Sequence, residues 1–324
     1  MTETLGLLIG GFFLLVVGGE LLVRGAVQAA ERLGVSPLVI GLTLVGFGTS
    51  MPELVTSVQA GLAGSPGIAY GNIVGSNIAN ILLIGGVSAL ICPIIVAEAA
   101  LRRDAALMLG VALVFAVLSA LLPMGRLLGA VFAIALAAYI AIVIRQERAT
   151  GVQGAIHDKS AALLQADPGL GRPSLRQPLF LPLLLALAGL VLVVLGGALL
   201  VSGAVALARA SGIGETVIGL TIVAVGTSLP ELVTSVIAAV RRQGDVAFGN
   251  IVGSNIYNIL GIGGTTALIA PGAVPDEIVT IDAPLMVGVS AVLVIFAATG
   301  RRVSRREGLV LLAGYGGYLW LLWP

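Results

Sequence analysis

A sequence unit that occurs twice constrains the fold of this chain more than any other feature. The segment VIGLTLVGFGTSMPELVTSVQA at 39–60 returns as VIGLTIVAVGTSLPELVTSVIA at 217–238, and GNIVGSNIANIL at 71–82 returns as GNIVGSNIYNIL at 249–260. Both pairs are offset by 178 residues, and in the 48 positions that begin at the first motif 32 residues are identical. The two halves therefore derive from one unit, and we predict a fold built from two related halves.

Apolar stretches of roughly 20 residues fill most of both halves. Of the 324 residues, 58% are hydrophobic and only 10% are charged, whereas a soluble domain carries about 25% charged residues. An apolar helix of this length crosses the bilayer with every backbone polar group bonded internally. We predict an all-α integral membrane protein with ten transmembrane helices. The predicted segments are 5–25, 37–61, 68–92, 104–122, 126–144, 179–205, 214–240, 246–270, 280–299 and 306–323.

One long polar stretch separates two sets of five apolar segments. It contains the only histidine, His157, together with several Asp, Lys, Gly and Pro residues. This composition is typical of a solvated linker. The predicted organisation is a first five-helix repeat over 1–144, a cytoplasmic linker over 145–178 and a second five-helix repeat over 179–324.

The distribution of arginine between the loops predicts that the second repeat is inverted. Cytoplasmic loops collect Lys and Arg. The loop after the first GSN motif holds Arg102 and Arg103, whereas its counterpart at 271–282 is acidic. An N-terminus outside the cell places 15 of the 17 basic residues on one face and leaves Arg126 and Arg209 on the other. Each half is predicted to cross the membrane five times. Because five is an odd number, the second copy has the opposite orientation in the membrane, in agreement with this charge pattern.

Two glutamates, Glu53 and Glu231, lie deep inside apolar segments. An ionised carboxylate at this depth costs at least about 2.5 kcal/mol unless a partner or a water-lined cavity receives it. The central turns of the two segments contain no Lys or Arg, so a bound cation is the expected counter-charge. A protonated or hydrogen-bonded structural glutamate is the alternative.

Each glutamate follows a Thr-Ser pair and a proline. Proline lacks an amide donor and collides with the carbonyl four residues earlier, so we expect the helix to break just before it. Backbone carbonyls freed near Gly46 and Ala224 would then face inward, and unwound carbonyls of this kind bind sodium ions or protons in transporters. A simple proline kink filled by Ser/Thr side chains is the alternative. The neighbouring hydroxyl groups belong to Thr49, Ser50, Thr227 and Ser228.

The GNIVGSN motifs add amide and hydroxyl groups on one helix face, because positions i, i+4 and i+8 lie together. With the carboxylates they form an all-oxygen set, which suits calcium and sodium better than zinc or copper. Asn77 and Asn255 point about 100° away and are predicted to form interhelical hydrogen bonds. Gly71 and Gly75 permit close approach of a neighbouring helix. The residues on the shared face are Asn72, Ser76 and Asn80, and in the second copy Asn250, Ser254 and Asn258.

Other features argue against enzymatic or nucleic-acid functions. Cys92 is the only cysteine, so neither an intrachain disulfide nor a thiolate metal cluster can form. The basic residues are scattered, and no H-E-x-x-H, G-x-S-x-G or phosphate-loop motif occurs. Glu20 also lies in an apolar segment, but Arg24 is one turn further on, and we expect a local ion pair. The repeat equivalent of Glu20 is Ala198.

At these residues the chain resembles the calcium/cation antiporter superfamily, specifically the prokaryotic sodium/calcium exchangers. The hallmark of that family is a pair of repeats containing G-T-S-x-P-E and G-N-x-x-G-S-N, and both motifs occur twice here. The resemblance implies a secondary active antiporter that exchanges Ca²⁺ for Na⁺ by alternating access, with residues 5–25 and 179–205 sliding across the rest. It implies a multi-pass protein of the prokaryotic plasma (inner) membrane, with no cofactor, nucleic acid or obligate protein partner.

The resemblance also implies the ion ligands. Asn258 stands where many microbial members and the potassium-dependent exchangers have Asp, which does not favour potassium co-transport here. A proton/calcium exchanger and a gated cation channel remain alternatives. The implied ligands are Glu53 and Glu231, the carbonyls of Gly46 and Ala224, the hydroxyls of Thr49, Ser50, Thr227 and Ser228, and Ser76, Asn80, Ser254 and Asn258.

Overall fold

The computed structural model describes residues 2–33, 48–98, 100–150, 159 and 179–323. The helices of the first half are α1 (Thr2–Arg32), α2 (Met51–Leu62), α3 (Pro66–Ile91), α4 (Ala100–Leu121) and α5 (Arg126–Thr150). Those of the second half are α6 (Phe180–Ser211), α7 (Glu215–Thr227), α8 (Leu229–Val240), α9 (244–269), α10 (Ile278–Ala298) and α11 (Arg305–Leu322). Two short strands, β1 (Ile94–Ile95) and β2 (Arg302–Val303), complete the described fold.

The described helices confirm an all-helical, multi-pass membrane protein. Helices α1, α3, α4, α5, α6 and α10 are each long and apolar enough to cross a bilayer, and the bent pair α7–α8 is a further candidate. Helices α9 and α11 coincide with the predicted segments at 246–270 and 306–323. Helix α5 continues to Thr150, so the predicted linker begins as helix. Residues 37–47 of the second predicted segment and His157 lie outside the described residues.

Helix α3 forms the centre of the molecule, and every residue from Gly67 to Ala79 is buried. It packs against α2, α7 and α9. A Cβ atom added to Gly75 would lie 2.6 Å from the backbone oxygen of Leu220 in α7, and one added to Gly71 would lie 3.0 Å from the Leu220 nitrogen. The close approach predicted from these two glycines is therefore confirmed.

This contact gives a stability prediction for Gly75→Ala. The added methyl group would meet backbone in α7 that cannot rotate away, so we expect a loss of about 1–3 kcal/mol. Gly110→Ala in α4 is the matched control, because nothing lies within 4 Å of its added Cβ. Thermal unfolding in detergent compares the two variants with the unsubstituted protein. Equal midpoints for Gly75→Ala and the unsubstituted protein would contradict the close packing.

Helices α1 and α6 pack against each other along their length. A Cβ atom on Gly18 would lie 2.7 Å from the Val193 nitrogen, and one on Gly189 would lie 2.2 Å from the Leu22 nitrogen. The two backbones thus approach as closely as helices can, which only glycine allows. Helices α1 and α6 therefore form one two-helix unit.

Connections from different halves meet at two places. Strand β1, which follows α3, pairs antiparallel with β2, which lies between α10 and α11. Arg301 beside β2 forms an ion pair with Glu98 at 2.6 Å. Elsewhere the α4–α5 connection bonds to the α9–α10 connection, through a bridge between Met124 and Gly272. Each connection thus meets one that is not its own repeat equivalent.

A buried carboxylate–tyrosine pair recurs in the last two helices of each half. Tyr139 in α5 donates to Asp104 in α4 at 2.9 Å, and Tyr318 in α11 donates to Asp282 in α10 at 2.8 Å. Both aspartates are buried. The two pairs have equivalent positions in their repeats, so similarity between the halves extends beyond the motifs.

Candidate cation site

Glu231 follows a break in the helix, as the proline pattern predicts, and Glu53 follows a residue with the same non-helical backbone. Helices α7 and α8 are bent by 48° about Ser228, whose φ of −83° and ψ of 7° are not helical. Ser50 has nearly the same angles, −87° and 8°, immediately before α2. Glu53 and Glu231 therefore lie in the first turn of a new helix, where the free amides and the helix dipole favour negative charge.

The serine of each break holds the glutamate of the other half. Ser50 Oγ donates to Glu231 Oε1 at 3.1 Å, and Ser228 Oγ donates to Glu53 Oε1 at 3.0 Å. Glu53 is 1% exposed and Glu231 is 2% exposed. These two reciprocal hydrogen bonds bring the carboxylates to one pocket between the halves.

Two asparagines brace the first turns behind the carboxylates. Asn72 Nδ2 donates to the Glu53 backbone oxygen at 3.1 Å and to Ser57 Oγ at 2.9 Å. Asn250 Nδ2 repeats this arrangement with the Glu231 backbone oxygen at 3.1 Å and Ser235 Oγ at 2.7 Å. The paired sites are thus built by the same interactions in both halves.

The two bracing serines were missed in the sequence interpretation. Ser57 and Ser235 recur at equivalent positions in the doubled motif, so the repeat itself contained the signal.

Several buried oxygens at these motifs have no hydrogen-bond partner among the described residues, and four of them belong to predicted carboxylate and amide ligands. These four are Oε2 of Glu53 and of Glu231 and the amide oxygens of Asn80 and Asn258. A buried acceptor without a donor costs about 1–3 kcal/mol. Carboxylate and amide oxygens are the ligands that hard cations prefer. A hard cation would therefore satisfy these groups.

Side chains of α3, which carries the first GNIVGSN motif, also form contacts with the second half. Ser76 Oγ lies 3.5 Å from the Ala224 carbonyl oxygen, and Asn80 Nδ2 donates to Asn255 Oδ1 at 3.0 Å. The Ala224 carbonyl also accepts from the Ser228 amide at 3.1 Å, so the prediction that the proline frees this carbonyl is wrong, because Ser228 still has an amide hydrogen to donate. The predicted ligand face of α3 thus contacts α7 and α9.

The predicted role in interhelical bonding is confirmed for Asn255 but not for the side chain of Asn77. Asn255 Nδ2 donates to the Asn77 backbone oxygen at 3.4 Å. The Asn77 amide instead donates to Ile73 in its own helix at 2.7 Å. Because a carbonyl four residues earlier is within reach of the side chain, the local bond replaces the interhelical bond.

Helices α3 and α9 change to π-helical geometry two or three residues after the last asparagine of the GNIVGSN motif, over Asn80–Ile84 and Tyr257–Gly263. Further π segments occur in α4, α7 and α10. Such segments are rare and often occur at functional sites. No sequence pattern used here predicts them.

Lys159 places an ammonium group in the pocket. Its Nζ donates to Ser50 Oγ at 3.1 Å and to Ser254 Oγ, and it lies 3.5 Å from Glu231 Oε1. The residue is 1% exposed, and the Tyr257 ring centre is 5.7 Å from Nζ. The Lys159 side chain therefore reaches oxygens of the predicted cation ligands. The sequence interpretation missed this residue, because nothing distinguishes one lysine in a polar stretch.

The structure buries all the predicted ligand residues that it describes. Gly46 lies outside the described residues. Thr227 Oγ1 donates to Asn72 Oδ1 at 3.0 Å and so bonds to the brace of the other half. The buried residues of the predicted set are Thr49, Ser50, Glu53, Ser76, Asn80, Ala224, Thr227, Ser228, Glu231, Ser254 and Asn258.

A cavity of about 630 Å³ lies between α1 and the two helix breaks. Its wall includes Thr49 and Pro52 from the first break and Pro230 and Thr234 from the second. The cavity therefore reaches the turns that carry both central glutamates.

Comparison with known proteins agrees with the twofold sequence. The family described as sodium/calcium exchanger protein matches residues 3–145 and again residues 181–323. The chain belongs to this family. The antiporter family member CaxA of Alkalimonas amylolytica, named a putative antiporter, is 36% identical over 96% of each chain. Sodium/calcium exchanger MaX1 of Methanosarcina acetivorans is 36% identical over 98% of this chain and 97% of its own.

A solved structure of an exchanger has the same overall fold. The sodium-calcium exchanger NCX_Mj, in crystals soaked with sodium and strontium ions, superposes with a TM-score of 0.60. The two chains are 32% identical, and the match covers 96% of each. The fold and the doubled motif thus both place this chain among the exchangers.

Proposed function

We propose that this chain is a secondary active antiporter that exchanges Ca²⁺ for Na⁺ at the pocket between Glu53 and Glu231. One calcium ion or several sodium ions would use the same buried oxygens. The calcium ion and the full set of sodium ions cannot be bound at the same time, so they compete for the pocket. Because of this competition, calcium is carried in exchange for sodium. The two carboxylate charges balance one calcium ion.

The observation that carries this proposal is the reciprocal bonding of Ser50 to Glu231 and of Ser228 to Glu53. It directs two buried carboxylates to one place and leaves the second oxygen of each without a donor. Lys159 adds support, since an ammonium group lies at the same oxygens. MaX1 and NCX_Mj are both named sodium/calcium exchangers, which supports sodium and calcium as the substrates.

An inverted pair of five-helix repeats is the architecture that we propose for alternating access. In a parallel repeat the α3–α4 connection would share a face with the α9–α10 connection. Instead β1 joins it to the α10–α11 connection, as inversion requires. The arginine-rich loops lie at this junction, which favours a cytoplasmic face there and an N-terminus outside. Ten crossings follow if α9, α11 and the segment 37–61 also span the membrane.

The glycine-packed α1–α6 unit is the element that we propose to slide across the rest. Its helices contact each other far more extensively than they contact the central helices. A unit of this kind can move as one body while the central glutamates stay in place. We place the protein in the plasma membrane of a prokaryote, without a resident cofactor or an obligate protein partner.

Calcium uptake into proteoliposomes tests the function. We expect vesicles loaded with sodium to accumulate Ca²⁺ when diluted into sodium-free buffer, because outward sodium movement drives inward calcium movement. Vesicles loaded with choline are the control and should not accumulate Ca²⁺. Uptake that follows a proton gradient and ignores sodium would favour a proton/calcium exchanger instead. Rapid downhill flux without any counter-ion would indicate a channel.

Lys159 gives a second prediction for the same assay. We expect Lys159→Ala to lower the Ca²⁺ concentration for half-maximal uptake by about threefold or more, because the ammonium and the ion need the same oxygens. Lys159→Arg is the matched control and should retain the higher value, since it keeps the charge. An unchanged half-saturating concentration in Lys159→Ala would show that the ammonium does not compete with calcium.

A further inference from the structure

A charged pair lines the cavity beside the turns that carry the two central glutamates. Glu20 and Arg24 lie on α1 and form an ion pair with an O–N distance of 2.7 Å, as the sequence predicts. Their side chains are 52% and 33% exposed, and both belong to the cavity wall. An ion pair inside an apolar helix is expensive in lipid, and this pair supplies charged groups to a cavity whose wall is otherwise mostly apolar, which is consistent with a role in ion passage.

The cavity joins this pair to the turns that carry the central carboxylates. Pro52 and Pro230, which precede Glu53 and Glu231 in the chain, form part of its wall. Val23, between the two charged residues, contacts the first break directly, since a Cβ on Gly48 would lie 2.3 Å from a Val23 methyl group. A cation at Glu20 would thus share a cavity with the prolines that directly precede both central glutamates.

The second half of the chain has no equivalent of this pair. The repeat equivalent of Glu20 is Ala198, and that of Arg24 is Ser202. At 1.5 Å per residue, Glu20 lies about 27 Å along the helix from Thr2 and about 18 Å from Arg32. The pair is therefore nearer to the Arg32 end of α1 and serves one side of the protein.

We propose that Glu20 is a first binding position for the transported cation on the Arg32 side of the central pocket, with Arg24 as the group that the cation displaces. The carboxylate attracts the ion into the cavity, and Arg24 keeps the ion from remaining there by competing for the same oxygens. The inference rests on the proposed function. It extends that function, because the access route on one side of the central pocket would itself select for positive charge.

The test measures calcium flux separately from each side of the membrane. Proteoliposomes with one orientation of the protein are prepared, and the half-saturating Ca²⁺ concentration is determined at both faces. We expect Glu20→Gln to raise it by roughly threefold to tenfold at the Arg32 face only, because the local field that concentrates cations is lost. The maximal rate should remain close to that of the unsubstituted protein.

Arg24→Gln provides the opposite change. Without its competitor, Glu20 should hold the ion more strongly, so we expect a lower half-saturating concentration at the same face. Ser202→Ala, at the repeat equivalent of Arg24, is the matched control and should change neither face, since Ser202 Oγ bonds only within its own helix at 2.8 Å. The double variant Glu20→Arg with Arg24→Glu keeps an ion pair at these positions. It therefore controls for any effect that loss of the pair has on folding.

The outcomes separate this proposal from the function on which it rests. If the unsubstituted protein shows no sodium-dependent calcium flux, the proposed function fails. If that flux is present but Glu20→Gln changes neither face, or changes both equally, the access role is overturned. A lower maximal rate at an unchanged half-saturating concentration also overturns it, because that result indicates a structural role.

Discussion

Glu53→Gln and Glu231→Gln are each expected to reduce sodium-driven calcium uptake by at least about 100-fold. A factor of 100 corresponds to about 2.8 kcal/mol at 1.4 kcal/mol per factor of ten. Glutamine keeps the size of the side chain and an oxygen that can accept the hydrogen bond from Ser228 or Ser50. It removes the negative charge that a divalent cation requires. The double variant should lose measurable exchange.

Glu98→Gln is the matched control for these substitutions. Glu98 is an exposed carboxylate that pairs with Arg301 and Arg102, and exposed ion pairs contribute about 0–1 kcal/mol. We expect its uptake to equal that of the unsubstituted protein. Thermal unfolding should show that both central variants remain folded. Undiminished flux in a folded Glu53→Gln or Glu231→Gln protein would place the ion site elsewhere.

Asn72→Leu is expected to produce the second large effect, a loss of both stability and transport. The Asn72 amide donates to the Glu53 backbone and to Ser57, and its oxygen accepts from Thr227. Leucine would leave these buried groups without partners, and each such group costs about 1–3 kcal/mol. The first turn of α2 would lose its brace, so the carboxylate of Glu53 would no longer be held in place.

Two comparisons make the Asn72→Leu result specific. Thr280→Val removes an exposed hydroxyl group that donates to a backbone oxygen four residues earlier, at the start of its own helix. This substitution should leave the melting temperature unchanged. Asn250→Leu alters the equivalent brace in the second half and should resemble Asn72→Leu. Normal melting and normal uptake for Asn72→Leu would show that the brace does not position the site.

The central features of the site could be predicted because the sequence states them twice. Glu53 and Glu231 stood out as carboxylates in apolar segments, and the prolines before them predicted the break that the structure has at Ser228. The ligand face of the GSN motif followed from the helical repeat of i, i+4 and i+8. The ligand roles of these residues remain predictions until flux is measured.

Other parts of the site depend on contacts between distant segments. The bonds from Ser50 to Glu231 and from Ser228 to Glu53 join residues 181 and 175 positions apart. No local periodicity specifies such a pairing. The amide of Asn77 was predicted to form a hydrogen bond to another helix, but it bonds to its own helix. An acceptor in either helix would satisfy the amide, and the packing of the helices decides which one it reaches. Lys159 is the extreme case, a lysine from a polar stretch whose position only the folded chain reveals.

The sequence by itself determined that the chain folds in a lipid bilayer, that one unit occurs twice, where the helix breaks lie and which two glutamates are central. Hydropathy, repetition and proline geometry each act within a single segment, so they can be read without the fold. Only the tertiary structure decided that each serine holds the other half's glutamate, that Lys159 reaches the pocket and that Glu20 lines the cavity beside it. These are relations between surfaces that meet after the helices pack. Packing depends on the shapes of both partners, and neither segment alone contains that information.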